Sequence, residues 1–415
     1  MLVALLSAPL AAAPEPYQGP GVGSERAERA DAYAYLNSLR GAARLPGFYW
    51  SASLARAAED HARYLAANGV PGAGTSAHEE DPGRPGYTGS TPAERARQAG
   101  YPHERVAENV QGGAKRTTAA VGALMTAIYH RLAFLDPLLD EIGIGRAGDY
   151  HVFLMGRSDW SALCAGRESE GVYRAPHGEA CPGGEALDAD YMARWCRSPP
   201  ASARFVGAGR YYTLCEGRVR VDAGWWERFC SEPSEGARYG FSGGYYDVCG
   251  GAVRVQAEWL DGFDSRRLQA TPRYVTWPTD GMEQAEPAFY DEWPDPLPDL
   301  RVSGAPVSIQ FNAAMVRRVA VEGFRLYRVT GSGGLNPLPE VRLLTAANDP
   351  NRRLDRLQFA LFPLRRLDWG TRYVAELVAG LDGEREVIRW TFRTRELGVT
   401  AHSRMSPLAQ SGRIP

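Results

Sequence analysis

The sequence predicts a multi-domain protein: an α-β-α layered domain, then small disulfide-stapled β modules, then an all-β sandwich. Three observations carry this reading. Amphipathic helical patterns flank two short strand patterns between residues 25 and 160. Six cysteines, all between Cys164 and Cys249, fall in a segment that repeats itself. From residue 286 to 396, short alternating apolar runs are separated by turn residues. A chain of 415 residues is also too long for one ordinary core.

Residues 2–13 (LVALLSAPLAAA) form a short apolar run ending in small residues and read as a secretory signal. The Pro/Gly-rich stretch 14–24 reads as a linker. From Glu25 a helix is expected with Ala32, Tyr35, Leu36 and Leu39 on one face. A second, over 53–67, sets Leu54, Ala57, His61 and Leu65 together and stops at Asn68-Gly69. His61 sits on that apolar stripe and reads as a packing residue. Residues 70–90 form a Gly/Pro-rich loop carrying His78, with Glu79 and Glu80 read as a solvated pair. Thr91-Pro92-Ala93-Glu94 is a capping box with proline at the first helical position. That helix should stop at Gly100. One further helix is expected over 118–132, carrying Tyr129-His130 near its end, followed by strands over 141–145 and 150–154.

The middle segment repeats at an offset of 34 residues: Asp188-Ala189 and Cys196 recur as Asp222-Ala223 and Cys230. At the same offset Tyr211-Tyr212, Cys215, Gly217 and Val219 recur as Tyr245-Tyr246, Cys249, Gly251 and Val253. A fixed period marks an array of small modules, here over 161–256. Each is too short for its own core, so a bridge inside each is the simplest expectation: Cys164–Cys181, Cys196–Cys215 and Cys230–Cys249. Zinc is the rival, but short Cys-x-x-Cys spacing is missing. Residues 257–285 read as a linker, and 397–415 as a disordered tail.

Composition narrows the function classes. Hydrophobic content of 44% and charged content of 23% are those of a soluble globular protein. A formal charge of −2 gives no basic footprint, which argues against nucleic acid as a partner. No apolar run is long enough to span a bilayer. Paired cysteines and the N-terminal run together point to an oxidising compartment, extracellular or in the cell envelope.

Several short motifs occur in a telling order: His78-Glu79-Glu80, Ala99-Gly100-Tyr101, Glu108-Asn109-Val110, His130-Arg131, and Glu141-Ile142-Gly143-Ile144-Gly145. Together they resemble the bacterial, SCP-like branch of the CAP superfamily (cysteine-rich secretory proteins, antigen 5 and pathogenesis-related proteins). The resemblance covers roughly residues 25–157. It implies the α-β-α sandwich of that fold and a cleft lined by His78, Glu108, Asn109, His130 and Arg131. The family's second acid lies on the helix before the second histidine, where this chain has no carboxylate, so its tetrad reads as a triad. Farther on, Pro306-Val307-Ser308-Ile309-Gln310-Phe311-Asn312, Gly370-Thr371 and Trp390-Thr391-Phe392 resemble bacterial Ig-like domains.

Two neutral imidazoles, His78 and His130, suit zinc or another borderline divalent ion with water completing the shell. Glu108 would orient one of them or act on bound water, and is the candidate catalytic residue. The alternative is a buried hydrogen-bonded cluster that holds the loop. No cysteine falls in this region, and Ser76 near His78 is no evidence for a nucleophile.

Two functions compete. One is a secreted or envelope-associated interaction protein, with a peptide, glycan, lipid or other envelope ligand. The other is a metal-assisted extracellular hydrolase using His78, His130 and Glu108. The reading leans away from an enzyme. The aromatic pairs Tyr211-Tyr212, Trp225-Trp226 and Tyr245-Tyr246 serve either as a ligand platform or, as favoured here, as the core of the small modules. A purely structural spacer leaves the cleft unexplained.

Overall fold

The computed structural model describes residues 24–70, 76–165, 172–173, 181, 187–207, 209–215, 217–233, 237, 245–249, 253–290 and 292–398. The expected signal at 1–13, nearly all of the 14–24 linker and the tail from residue 399 lie outside the described residues. Residues 24–101, 105–158 and 264–398 form one compact unit, and 102–104 with 159–263 another.

In the first unit, α1 (Ser24–Ala42), β1 (Tyr49–Trp50), α2 (Ala52–Asn68) and α3 (Pro92–Gln98) precede β2 (Ala107–Gly112). Then come α4 (Thr117–Thr126), α5 (Ile128–Phe134), β3 (Glu141–Ala147) and β4 (Tyr150–Gly156). The sheet order is β1-β3-β4-β2, antiparallel except for β1 with β3. Alternation along β4 sends Phe153 and Met155 to one face, with Leu36 of α1 and Leu124 of α4. Val152 and Leu154 pack on the other face, with Leu54 and Ala58 of α2 and Ala96 of α3. Both faces are therefore covered by helices.

The Gly-x-Gly of β3 has a direct cause. Ile142 and Ile144 face the α1/α4 core, which leaves Gly143 and Gly145 under α2. A Cβ on Gly143 would lie 1.9 Å from the Ala55 backbone nitrogen, and one on Gly145 2.2 Å from the Ala58 carbonyl carbon. The helix rests on bare backbone. The capping box forms in half: Thr91 accepts from the Glu94 N–H at 3.2 Å, while Glu94 reaches past Thr91 to the N–H of Ser90 at 2.8 Å.

The single helix expected over 118–132 is instead two. Ala127 is extended (φ −80°, ψ 119°), so α4 ends and α5 begins anew. The break is buried against the later part of the chain: Ala127 and Ile128 cluster with Phe289, Leu297, Leu354 and Phe362. Propensity alone favours continuation; tertiary packing overrides it.

The second unit contains α6 (Ser158–Ala165), β5 (Val172–Tyr173), α7 (Ala189–Arg197), β6 (Tyr211–Leu214), β7 (Val219–Asp222), α8 (Ala223–Ser231), β8 (Tyr245–Val248) and β9 (Val253–Gln256). Helix α9 (Ala257–Leu268) follows directly, so the modules expected to be β are corrected to units of helix and hairpin. Helices α7, α8 and α9 start at Ala189, Ala223 and Ala257, so the period runs past residue 256 into part of the expected linker. Asp188 and Asp222 cap the first two, accepting from the N–H of Tyr191 and Trp225 at 2.7 and 2.9 Å. Of the paired aromatics, Trp226 is core, buried with Trp195, Leu187, Leu214 and Val221, and Trp225 and Tyr212 pack against it half-buried, whereas Tyr211 is exposed. The side chains of Tyr245 and Tyr246 lie outside the described residues.

Of the three expected bridges, Cys196–Cys215 is present. The other two are corrected to Cys164–Cys249 and Cys181–Cys230, giving a nested set. Cys215 and Cys249 sit at hairpin turns in left-handed backbone, whereas Cys164, Cys196 and Cys230 sit on helices. On α9 the position one period after Cys230 is Asp264, so the last hairpin has no partner ahead of it. It turns back to the start of the unit instead. β9 pairs with β5, Val255 opposite Val172, and Val248 and Cys249 pack with Trp160 and Leu163 of α6.

The remaining elements belong to the first unit. They are β10 (Tyr274–Trp277), β11 (Met282–Ala285), β12 (Val307–Phe311), β13 (Val319–Val329), β14 (Leu335–Pro337), β15 (Val341–Leu344), β16 (Gln358–Pro363), β17 (Arg372–Leu381) and β18 (Glu384–Thr394). Two sheets, β10-β12-β16-β15 and β11-β18-β17-β13-β14, share one core in which Ile309 and Leu361 meet Leu326, Ala375 and Trp390. Residues 274–285, expected as linker, thus supply a strand to each sheet. Val275 and Trp277 also enter the core beside α1 and α4.

Substituting Gly143→Ala should lower stability to urea by about 3 kcal/mol or more, because a rigid backbone, not a side chain, must move. Gly122→Ala, in open space on α4, should be neutral or stabilise by up to about 1 kcal/mol. Peptide mapping without reduction should recover Cys164 linked to Cys249 and Cys181 linked to Cys230; recovery of Cys164 with Cys181 would refute the nested pairing.

Candidate functional site

A cleft of about 680 Å³ opens in the first unit, with His78, Glu108, Asn109 and His130 among its lining residues. Three separate elements deliver them. His78 lies on the loop after α2, Glu108 and Asn109 on β2, and His130 on α5.

Glu108 is 1% exposed at its side chain and takes three contacts. His78 Nδ1 lies 3.0 Å from Oε1. Arg95 Nη2 donates to both carboxylate oxygens at 2.9 Å. His61 Nε2 stands 3.8 Å away. Burial is the largest single influence on this carboxyl and opposes its ionisation. The Arg95 charge, the hydrogen bond from His78 and the charges of His61 and His78 together outweigh it and hold the group down at about 2. Glu108 is therefore an anion across the ordinary pH range. A carboxylate only accepts, so His78 Nδ1 must be the donor.

Around this anion lies a buried polar network. His61 Nδ1 meets Glu80 Oε1 at 2.8 Å, and His61 Nε2 meets the Ala77 carbonyl at 2.9 Å. Glu80 also accepts from the Thr88 N–H at 2.6 Å. Arg95 donates to the carbonyls of His78 and Gly89 at 3.0 and 3.2 Å. Glu80 is thus buried, and the solvated pair expected for Glu79 and Glu80 is half corrected: Glu79 alone is exposed. His61 packs and bonds as the apolar stripe foretold, holding the 76–90 loop on α2 and α3.

The second histidine has a partner that sequence inspection missed. His130 Nδ1 lies 2.8 Å from Glu292 Oε1, on the segment between β11 and β12. The same oxygen accepts from the backbone N–H groups of Tyr129 and His130 at 2.7 and 3.1 Å. Those are donors at the start of α5 that no preceding turn can satisfy. The triad read from the sequence is therefore a tetrad of two His-carboxylate pairs, with the second acid supplied 162 residues downstream. Only a lone glutamate between Tyr290 and Trp293 marked it, and nothing local links it to α5.

The two imidazole rings stack with centroids 6.4 Å apart and an interplanar angle of 29°. Asn109 donates to the His130 carbonyl at 2.9 Å and so ties β2 to α5. Arg131, expected in the cleft, is buried elsewhere: its Nη1 donates to the carbonyls of Met125 and Pro306 at 3.3 and 3.0 Å. One step along a helix turns the side chain by about 100°, so His130 and Arg131 cannot share a face. Burial is the larger influence on Arg131 and pulls its guanidinium down to about 9, against the Glu292 charge that raises it.

Each Nδ1 is engaged by a carboxylate, which leaves Nε2 as the ring nitrogen available to a ligand or ion. Among the described residues, no group of three or more His, Cys, Asp or Glu is placed to hold a metal. No helix among the described residues is long and apolar enough to cross a membrane.

Residues 33–155 match the model of the cysteine-rich secretory protein family, CAP, and this part of the chain is a CAP domain. Among solved structures, an extracellular protein containing an SCP domain from Bacillus anthracis is 17% identical with a TM-score of 0.28, over 34% of this chain and 47% of that one. A cysteine-rich secretory protein from Staphylococcus aureus is 16% identical with a TM-score of 0.25, over 31% and 38%. The chain thus spans less than half the length of either. No curated protein matches it.

The Glu108 carboxyl is depressed in the folded state, so its contribution is full above about pH 4.5 and is lost as pH falls toward about 2. Glu108→Gln should cost about 3 kcal/mol at neutral pH, leaving Arg95 buried without its main anion. In urea titrations from pH 6 down to about pH 2.5, the variant should lose stability less steeply than the wild type. Parallel curves would refute the assignment.

Proposed function

We propose that the chain is a secreted or envelope-associated CAP-domain protein of bacterial SCP-like type, acting as a binding protein through the cleft over His78 and His130. The observation that carries this is the pair of Nδ1-carboxylate contacts, His78 with Glu108 and His130 with Glu292. They fix both rings and leave Nε2 of each for an incoming group. Three disulfides support an oxidising location, as does the apolar run at residues 2–13. The two-sheet region resembles a bacterial Ig-like domain, and in this reading it braces the cleft through Glu292.

The donor set suits zinc or a similar divalent ion. Histidine ligands in metal sites commonly donate their other N–H to a carboxylate, as both do here. When bound, such an ion supplies Lewis acidity to a ligand oxygen. His78 and His130 would hold it, with Glu108 and Glu292 orienting the rings. Metal-assisted hydrolysis is the second reading, favoured by one observation: Glu292 provides the second carboxylate that α4 lacks.

Titrating Zn²⁺ into the full chain should give one site that vanishes in His78→Ala/His130→Ala and weakens about 10–100-fold in Glu292→Gln. Unchanged binding in the double variant, or none in a folded wild type, would refute the metal site. A hydrolytic activity that survives in the double variant would remove this cleft as its source.

A further inference from the structure

We propose that the ligand of this cleft is a glycan, one sugar ring of which stacks on the indole of Trp293. The inference rests on the reading of the cleft as a ligand site and names the ligand's class. Trp293 is 59% exposed and lines the cleft. Among the tryptophans whose side chains are described, no other is so exposed. Leaving an indole in water forfeits burial that the fold gives the buried Trp160, Trp226 and Trp390.

The exposure is not that of a loose loop tip. On one side of Trp293, Glu292 is buried and holds the donors of α5. On the other, the Asp295 carbonyl accepts from Asn351 Nδ2 at 2.7 Å, its carboxylate accepts from the Leu297 N–H at 2.8 Å, and Leu297 is fully buried. The backbone is pinned on both flanks while the ring is presented to solvent. A flat amphipathic group held this way needs little further ordering on binding.

The rest of the lining selects the class. Ser76, Glu79, Asn109, Arg353 and Gln358 bring hydroxyl, carboxylate, amide and guanidinium groups of mixed sign to the cleft. No single-sign field favours phosphate or nucleic acid. A sugar ring has the complementary make-up, with an apolar C–H face for the indole and a rim of hydroxyls for polar side chains. At about 680 Å³ the cleft is within the size range of small-ligand sites.

The test is calorimetric titration of the full chain with β-1,4-linked tetramers of glucose and of N-acetylglucosamine, with near-UV circular dichroism confirming each variant's fold. At least one tetramer should bind. Trp293→Ala should weaken it by about tenfold or more, and Trp293→Phe by less. Tyr290→Ala, exposed but outside the lining, should leave it unchanged. Failure of both tetramers to bind the folded wild type, or equal binding by Trp293→Ala, would overturn the proposal. Glycan binding that needs Trp293, with no Zn²⁺ bound by the folded wild type, would leave this inference standing and sink the metal-bearing reading. Zn²⁺ binding lost in His78→Ala/His130→Ala, with no glycan bound, would do the reverse.

Discussion

One oxygen of Glu292 holds the cleft and its support together. It accepts from two backbone N–H groups at the start of α5 and faces His130 Nδ1. The break at Ala127 exposes those donors in a buried place, where an unmet N–H costs about 1–3 kcal/mol. Glu292 resolves that cost and orients the histidine at once. The neighbouring contacts follow from it: Tyr129 Oη donates to Asp349, Gln310 donates to the Leu135 carbonyl, and Arg131 reaches Pro306. Strand and helix regions far apart in the chain therefore make one unit.

The first histidine is held by a different device. Four ionisable side chains, His61, Glu80, Arg95 and Glu108, are all buried within a few ångströms of one another. Such a cluster is tolerated because its members bond to one another and to the loop's backbone, with only Arg95 Nε among them lacking a hydrogen bond. Its role is conformational. Arg95 grips the carbonyls of His78 and Gly89 while neutralising Glu108, so the loop from 76 to 90 has one arrangement over α3. A preformed cleft then spends less of its binding free energy on ordering itself.

The cysteine unit solves a shortage of core. Among the described residues its core gathers Leu187, Leu214 and Val221 around Trp195 and Trp226. The outer bridge, Cys164 to Cys249, closes a separation of 85 residues and joins the first and last copies. Closing a long loop removes more freedom from the unfolded chain than closing a short one does.

By itself the sequence determined what is local. Alternation placed Ile142 and Ile144 on one face and the glycines on the other, the capping box started α3, and the apolar stripe buried His61. Motif order singled out His78, Glu108, Asn109 and His130, and the structure brings these four to one cleft. The 34-residue period located the copies of the cysteine unit, but not the helix that each carries. Tertiary structure alone decided the rest. Glu292 pairs with His130 across 162 residues, and Cys164 closes on Cys249 rather than on its neighbour. The helix over 118–132 breaks because Ala127 and Ile128 find a better core against residues beyond 286. Arg131 leaves the cleft because the helix turns it away. A periodicity records which side of its own element a residue faces. It carries no record of which distant element will pack there, since that choice is made by the shape and unmet donors of surfaces that exist only once the chain has folded.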